Sequence, residues 1–209
     1  MTYSAPVNDM RFALDVLAGL SEISNLPGLE PADGDLVDAI LGEAGKLAET
    51  VIAPLNGAGD RVGSVLENGV VRTPEGFGAA YRTFIDGGWN GLAGGTAHGG
   101  QGLPWALATA VEEIWAAANL SFSLCPLLTQ AAIELLQAHG TQEQQERLLP
   151  KLIAGTWTGT MNLTEPQAGS DLGALRARAV PADDLADEGL GRPYRLTGQK
   201  IFISWGDND

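Results

Sequence analysis

Basic residues and cysteine are what this chain has least of. Twelve Lys and Arg stand against 26 Asp and Glu, a formal charge of −14, and a surface of that sign repels phosphate backbones and anionic lipid headgroups. Nucleic acid is therefore not an expected partner, and no membrane insertion is expected. A lone cysteine, Cys125, admits no internal disulfide and no cysteine metal cluster. The two histidines, His98 and His139, lie far apart without ligand spacing, so no metal site is expected. No basic start followed by an apolar run opens the chain, and no window holds the roughly 18 consecutive apolar residues of a spanning helix. These absences read as a soluble cytoplasmic protein in a reducing compartment.

What is present is an ordinary globular balance, 44% hydrophobic and 18% charged over 209 residues, enough for one or two domains with a core. From residue 9 to about 153 the period is helical. Asp9 is expected to cap a short helix with Phe12, Ala13, Val16, Leu17 and Leu20 on its apolar face, and Gly19 marks its exit. In "DGDLVDAILGEAGKLAETVIAPL" the apolar residues from Leu36 to Ile52 keep 3.6-residue spacing, with Pro54 as the expected stop. Thr73 and Pro74 read as cap and first position of a helix carrying the stripe Phe77, Tyr81, Phe84 and Ile85. Two apolar, buried helices follow. Gly140 closes the second, and Thr141 with Gln144 forms a capping box for one more.

After Gly155 the texture changes. "TWTGTMNLT", "ALRARAV", "YRLTG" and "KIFIS" are short, partly alternating and contain aromatic and β-branched residues, which predicts strands. Between them the acidic, Gly- and Pro-rich stretch from Pro181 to Arg192 predicts an exposed connection. The fold class is α+β, an N-terminal all-α helical domain followed by the beginning of a β-sheet, barrel-like domain. The expected boundaries are an N-terminal extension over 1–32, the helical domain over 33–155 and an incomplete β domain over 156–209. With too few strands to close a sheet and sandwich or barrel, the chain is expected to be a fragment.

The stretch "MNLTEPQAGSDLGAL" places many small and polar residues between apolar-rich neighbours. Pro166 fixes one φ angle, Gly169 allows backbone approach or positive φ, and Thr164, Ser170 and Asp171 supply hydrogen-bonding groups. Such a cluster faces a ligand or simply makes a turn. Glu165 and Asp171 are expected to cap or brace that turn rather than do acid and base chemistry. His98 reads as a loop residue, and Cys125 as core rather than nucleophile.

"LTEPQAGSDLGA" resembles the first signature of the acyl-CoA dehydrogenase family, and "YRLTGQKIFISWG" resembles its second flavin-contacting strand. "AHGGQGLPWAL" and "EQQERLLPKLIAGTWTGTM" are similar to the family's helical domain and its entry into the β domain. "YSAPVNDMRFALD" is similar to the extension of the large subfamily, which includes the 3-methylthiopropanoyl-CoA dehydrogenases. The resemblance implies FAD as cofactor. Met161, Asn162, Leu163 and Thr164, with Gly169 and Ser170, would form the first cofactor contact, and Phe202, Ile203 and Ser204 the second. It places Ser170 where cofactor phosphates and the CoA portion of the substrate come close. Asn162 departs from the signature, which has a small residue there, and puts cofactor affinity in question.

The implied reaction is oxidation of an acyl-CoA thioester to the trans-2-enoyl-CoA, with electrons passed to an electron-transferring flavoprotein by a homo-oligomeric full-length enzyme. In the family the base that removes the α proton belongs to a C-terminal helical domain absent here, so no residue of this chain is given a catalytic role and the fragment alone is expected to be inactive. An acyl-CoA oxidase, or a non-catalytic flavin- or CoA-binding fragment, stands as the alternative.

Overall fold

A computed structural model describes residues 3–187 and 190–209. Glu188 and Gly189, within the acidic connection, lie outside the described residues, as do Met1 and Thr2. The N-terminal part is helical, and the remainder is irregular chain with one short antiparallel ribbon.

Helix α1 (Val7–Phe12) starts at Pro6 rather than at Asp9, and runs on into a π turn, Ala13–Leu17. The expected apolar face is corrected here. Met10, Leu14 and Leu20 point to the core, whereas Phe12, Val16 and Leu17 are exposed. Val16 and Leu17 lie within the π turn, whose wider ring departs from a 3.6-residue stripe, while Phe12 precedes it. A short α2 (Leu20–Ile23) follows Gly19.

The Asp33 carboxylate accepts the Leu36 N–H at 2.8 Å and caps α3 (Gly34–Leu47). Pro54 does not stop this helix as expected. A π turn, Ala48–Ile52, leads into α4 (Ala53–Val62), and the Ala53 N–H donates to the Ala48 carbonyl five residues back. The ladder is already shifted at that point, so Pro54 sits in the first turn of α4, where its missing N–H costs least.

The chain then forms a hairpin that was not anticipated, β1 (Val65–Glu67) paired with β2 (Val70–Arg72). Its turn residues Asn68 and Gly69 have φ of 52° and 80°, the pair of positive φ values for which Asn-Gly is selected in tight hairpins. The dipeptide was the available signal. Thr73 is not the cap of the next helix, α5 (Phe77–Asp86), which begins later at Gly76; Thr73 instead binds Asp209.

Helices α6 (Trp105–Ala118), α7 (Leu120–His139) and α8 (Gln142–Ile153) complete the bundle. The capping box forms as expected, with Gln144 N–H donating to Thr141 Oγ1 and Thr141 N–H to Gln144 Oε1. Phe84 lies at the centre, edge-on to Trp115 and Phe122 with ring centroids 5.7 and 6.0 Å apart. By length and mean hydropathy (1.2) α7 could cross a bilayer; here its residues Phe122, Cys125, Thr129 and Ile133 are buried.

Beyond α8 two of the four predicted strands form. β3 (Arg178–Pro181) pairs antiparallel with β4 (Tyr194–Thr197), in register Arg178 to Thr197 and Pro181 to Tyr194. Every residue of both strands is exposed, as in a two-stranded ribbon without a second layer. "TWTGTMNLT" and "KIFIS" lie outside any ladder. They meet through single bonds, such as Ile201 N–H to the Thr164 carbonyl at 3.0 Å, because neighbouring strands that would continue a sheet are not among the described residues.

Candidate flavin-facing site

The chain leading into the first signature segment is laid across the bundle by side chains that reach its backbone. Tyr81 donates its hydroxyl to the Gly155 carbonyl at 2.9 Å, and buried Asn90 holds the Leu152 carbonyl at 2.6 Å. Thr129 of α7 accepts the Gly159 N–H at 3.1 Å. A Cβ on Gly159 would stand 2.6 Å from Ala132 Cβ, so the absence of a side chain lets this segment lie directly on α7.

Glu165 and Ala168 then exchange backbone bonds of 3.1 and 3.0 Å and close a turn. The Glu165 side chain folds inward, and the residue is only 3% exposed. It accepts from Lys200 Nζ at 2.9 Å, from the Arg176 and Ala177 N–H groups at 2.7 and 2.9 Å, and from Gln167 Nε2 at 2.7 Å. Those donors, Lys200 foremost, hold its carboxyl down to about 2. A carboxylate so occupied braces the turn, as the sequence suggested. Asp171 does likewise, accepting the Gly173 N–H at 3.0 Å.

The second segment is fastened to the first at three points. Ile201 N–H meets the Thr164 carbonyl, Lys200 Nζ meets the Leu163 carbonyl at 2.9 Å, and Thr160 donates its hydroxyl to the Ser204 carbonyl at 2.8 Å. Phe202, with φ 57°, is turned outward and 85% exposed. Non-glycine residues rarely hold such a φ unless their surroundings impose it.

The structure therefore joins Leu163 and Thr164 to Lys200 and Ile201, and Thr160 to Ser204, with Phe202 exposed between the joined residues. Leu163, Thr164 and Ile203 are half-buried, and Met161, Asn162 and Ser204 are exposed. Ser170 and Gly169 lie exposed beyond the Glu165 turn. Gly169 uses neither of the freedoms expected of it within this chain: its φ is not positive, and an added Cβ would meet open space. His98 ends a single 3₁₀ turn in a loop, and Cys125 is buried, its thiol pushed up to about 12 by desolvation.

Sequence reasoning missed Lys200, Gln167 and the last residues of the chain. The Trp205 indole N–H donates to the Ser121 carbonyl at 3.0 Å, and the Asp209 carboxylate receives both the N–H and the hydroxyl of Thr73 at 2.9 and 2.6 Å. A lysine two residues before an outward aromatic was the one local signal for Lys200.

Between the second segment and the bundle lies a cleft of about 540 Å³, walled by Val71, Pro74, Phe77, Leu124, Ile203 and Ser204, among others. Hydroxyls of Ser64, Ser121 and Ser204 thus share the cleft with apolar walls, a mixed lining able to hold an aliphatic chain beside hydrogen-bonding groups.

Residues 38–156, more than half of the chain, match the family profile described as acyl-CoA dehydrogenase, N-terminal domain. Over all 209 residues the chain is 46% identical to 3-methylmercaptopropionyl-CoA dehydrogenase of Ruegeria pomeroyi, covering 34% of that protein. It is 32% identical over 212 aligned residues to a butyryl-CoA dehydrogenase of Syntrophomonas wolfei, covering 99% of this chain and 33% of the relative. The chain thus spans about a third of the length of the curated relatives it matches. The solved butyryl-CoA dehydrogenase of Megasphaera elsdenii superposes with a TM-score of 0.65 at 24% identity, over 84% of this chain and 42% of that one, and shares the fold. On the profile match and the fold together, the chain belongs to the acyl-CoA dehydrogenase family.

Proposed function

We propose that this chain forms the flavin- and thioester-facing part of an FAD-dependent enzyme that oxidises an acyl-CoA to the trans-2-enoyl-CoA and passes the electrons to an electron-transferring flavoprotein. The observation that carries the reading is the joining of two distant segments by the bonds of Ile201 to Thr164, Lys200 to Leu163 and Thr160 to Ser204, with Phe202 exposed beside them. An isoalloxazine ring suits that arrangement. Phe202 and Met161 offer apolar contact, the Thr164 and Ser204 hydroxyls can donate, and the N–H groups of Met161, Leu163 and Ile203 have no protein partner among the described residues.

When bound, FAD supplies the hydride acceptor for the β carbon of the acyl group. The roles of this chain's own residues are positional. Thr164 and Ser204 hold fixed donors that favour charge building on the ring, because preorganised dipoles need no rearrangement as it develops. The Glu165–Lys200 pair keeps the two donors in one frame. The reacting carbons must lie against the flavin, so the acyl tail continues into the apolar cleft beside Ser204, where Phe77 and Leu124 exclude water. Glu165 is fully engaged and Asp171 caps its own turn, so the α-proton base is assigned to neither.

The experiment is done on the complete protein carrying this chain. Purified protein should contain FAD and convert an acyl-CoA to the enoyl-CoA with transfer to electron-transferring flavoprotein. Thr164→Ala and Ser204→Ala should each weaken flavin retention by about 1–3 kcal/mol where a partner is left unsatisfied. Wild-type flavin content and reduction potential in both variants would sink the assignment. Stoichiometric peroxide without electron-transferring flavoprotein would point instead to an oxidase.

A further inference from the structure

Trp205 stands on the boundary between two cavities. On one side is the 540 Å³ cleft that opens at Ser204. On the other is a smaller pocket of about 100 Å³, walled by Phe77, Tyr81, Phe122 and Cys125 and closed by Asp209. Trp205 lines both.

The indole is held there by several independent restraints. Its N–H donates to the Ser121 carbonyl at the start of α7, and its ring packs against the buried core of the bundle. The backbone accepts φ 53°, an outlier for a bulky residue that persists only where surrounding contacts impose it. Four residues on, the two Thr73 bonds to Asp209 clip the segment to the end of the β1–β2 hairpin, with Arg72 3.9 Å from the same carboxylate. The strap from Ser204 to Asp209 is thus fastened at Thr160, Ser121 and Thr73, and Trp205 is its inward-facing side chain.

We propose that Trp205 sets the length of acyl chain the enzyme accepts, by walling the cleft off from the apolar pocket behind it; this rests on the reading above. An acyl group with its reacting carbons beside Ser204 extends its tail along Ile203 and Leu124 and meets the indole one residue further on. Short tails fit in front of the ring. Longer ones need the space behind it, where Phe77, Phe122 and Cys125 supply the apolar wall, the Tyr81 hydroxyl is committed to the Gly155 carbonyl, and the polar groups of Thr73, Arg82, Asn208 and Asp209 complete the lining. The preferred substrates are therefore short-chain acyl-CoAs, and the selectivity lies in a steric wall, which discriminates by roughly tenfold or more per excess methylene.

The test uses the complete, flavin-loaded protein and measures kcat/KM for butyryl-, hexanoyl-, octanoyl- and decanoyl-CoA. The wild type should favour the shortest of these. Trp205→Ala should raise the octanoyl-to-butyryl ratio by about tenfold or more, and Trp205→Phe should fall between. A second readout follows Cys125, whose modification by methyl methanethiosulfonate is located by peptide mass spectrometry: protected in the wild type, reactive in Trp205→Ala, and protected again by octanoyl-CoA but not by butyryl-CoA. A folded Trp205→Ala protein with an unchanged chain-length profile overturns the proposal. So does a wild type that turns over decanoyl-CoA as well as butyryl-CoA, a result that needs no variant to fold. If the wild type binds FAD but acts on no acyl-CoA, the proposed function fails instead.

Discussion

Lys200 Nζ stands 2.9 Å from Glu165 Oε1 and 2.9 Å from the Leu163 carbonyl, tying two segments that are 35 residues apart in sequence into one unit. The Glu165 side chain is buried and its partner is about one-quarter exposed. An uncompensated charge at that depth is costly, so the carboxylate, the lysine and the two backbone N–H groups stand or fall together.

Acid should therefore weaken the molecule through Glu165. Its carboxyl is held at about 2 in the folded protein against an ordinary 4.5. The stabilisation is present in full above 4.5 and is lost as pH falls from there toward 2. Urea midpoints measured down this range should drop in the wild type and drop less in Glu165→Gln. Equal acid sensitivity of wild type and Glu165→Gln would refute the assignment.

At the start of α8, Thr141→Ala should cost about 1 kcal/mol, the usual loss when a helix N-cap side chain is removed. Thr141→Ser should recover most of it, since serine can still accept the Gln144 N–H. Chemical denaturation curves of the three proteins check the order.

The connection between β3 and β4 should have no part in chemistry. Its ion pairs, Arg192 with Asp183 and Arg195 with Asp184, lie at the surface, where such pairs contribute little. Ala182 is different: it is buried, and its N–H binds the Pro193 carbonyl at 3.0 Å. Replacing residues 183–192 by a tight Asn-Gly turn that keeps this bond should leave turnover of the complete enzyme within a few-fold. A large loss with FAD still bound would show the loop to be functional.

Residues 1–209 alone should not dehydrogenate an acyl-CoA even when supplied with FAD. An α proton needs a base with the right reach before it needs the right pKa, and the carboxylates of Glu165 and Asp171 are occupied by their own turn. The open edges of the β3–β4 ribbon should also make the isolated chain prone to aggregate. Incubation with FAD, a panel of acyl-CoAs and an artificial electron acceptor is the assay. Enoyl-CoA formation that disappears in Glu165→Gln would reverse this view of Glu165.

The helical half was largely legible because its determinants are local. The stripe through α3, Phe77 to Ile85 on α5, and the Thr141–Gln144 box all act within four residues along the chain. So did Asn68–Gly69, whose hairpin could have been read and was not. The errors at Val16 and Pro54 share a cause, since a π turn changes the period without announcing itself in composition. The sequence alone named Glu165 as a carboxylate that braces its turn.

What only the tertiary structure decided is who meets whom: Lys200 with Glu165, Trp205 with Ser121, and Thr73 with Asp209, 136 residues away. Hydrogen bonds of that separation follow from how the bundle packs, because the partner's distance along the chain leaves no periodic or local trace. The same holds for the two cavities on either side of Trp205. A wall between them exists only once α5, α7 and the last residues have been brought together.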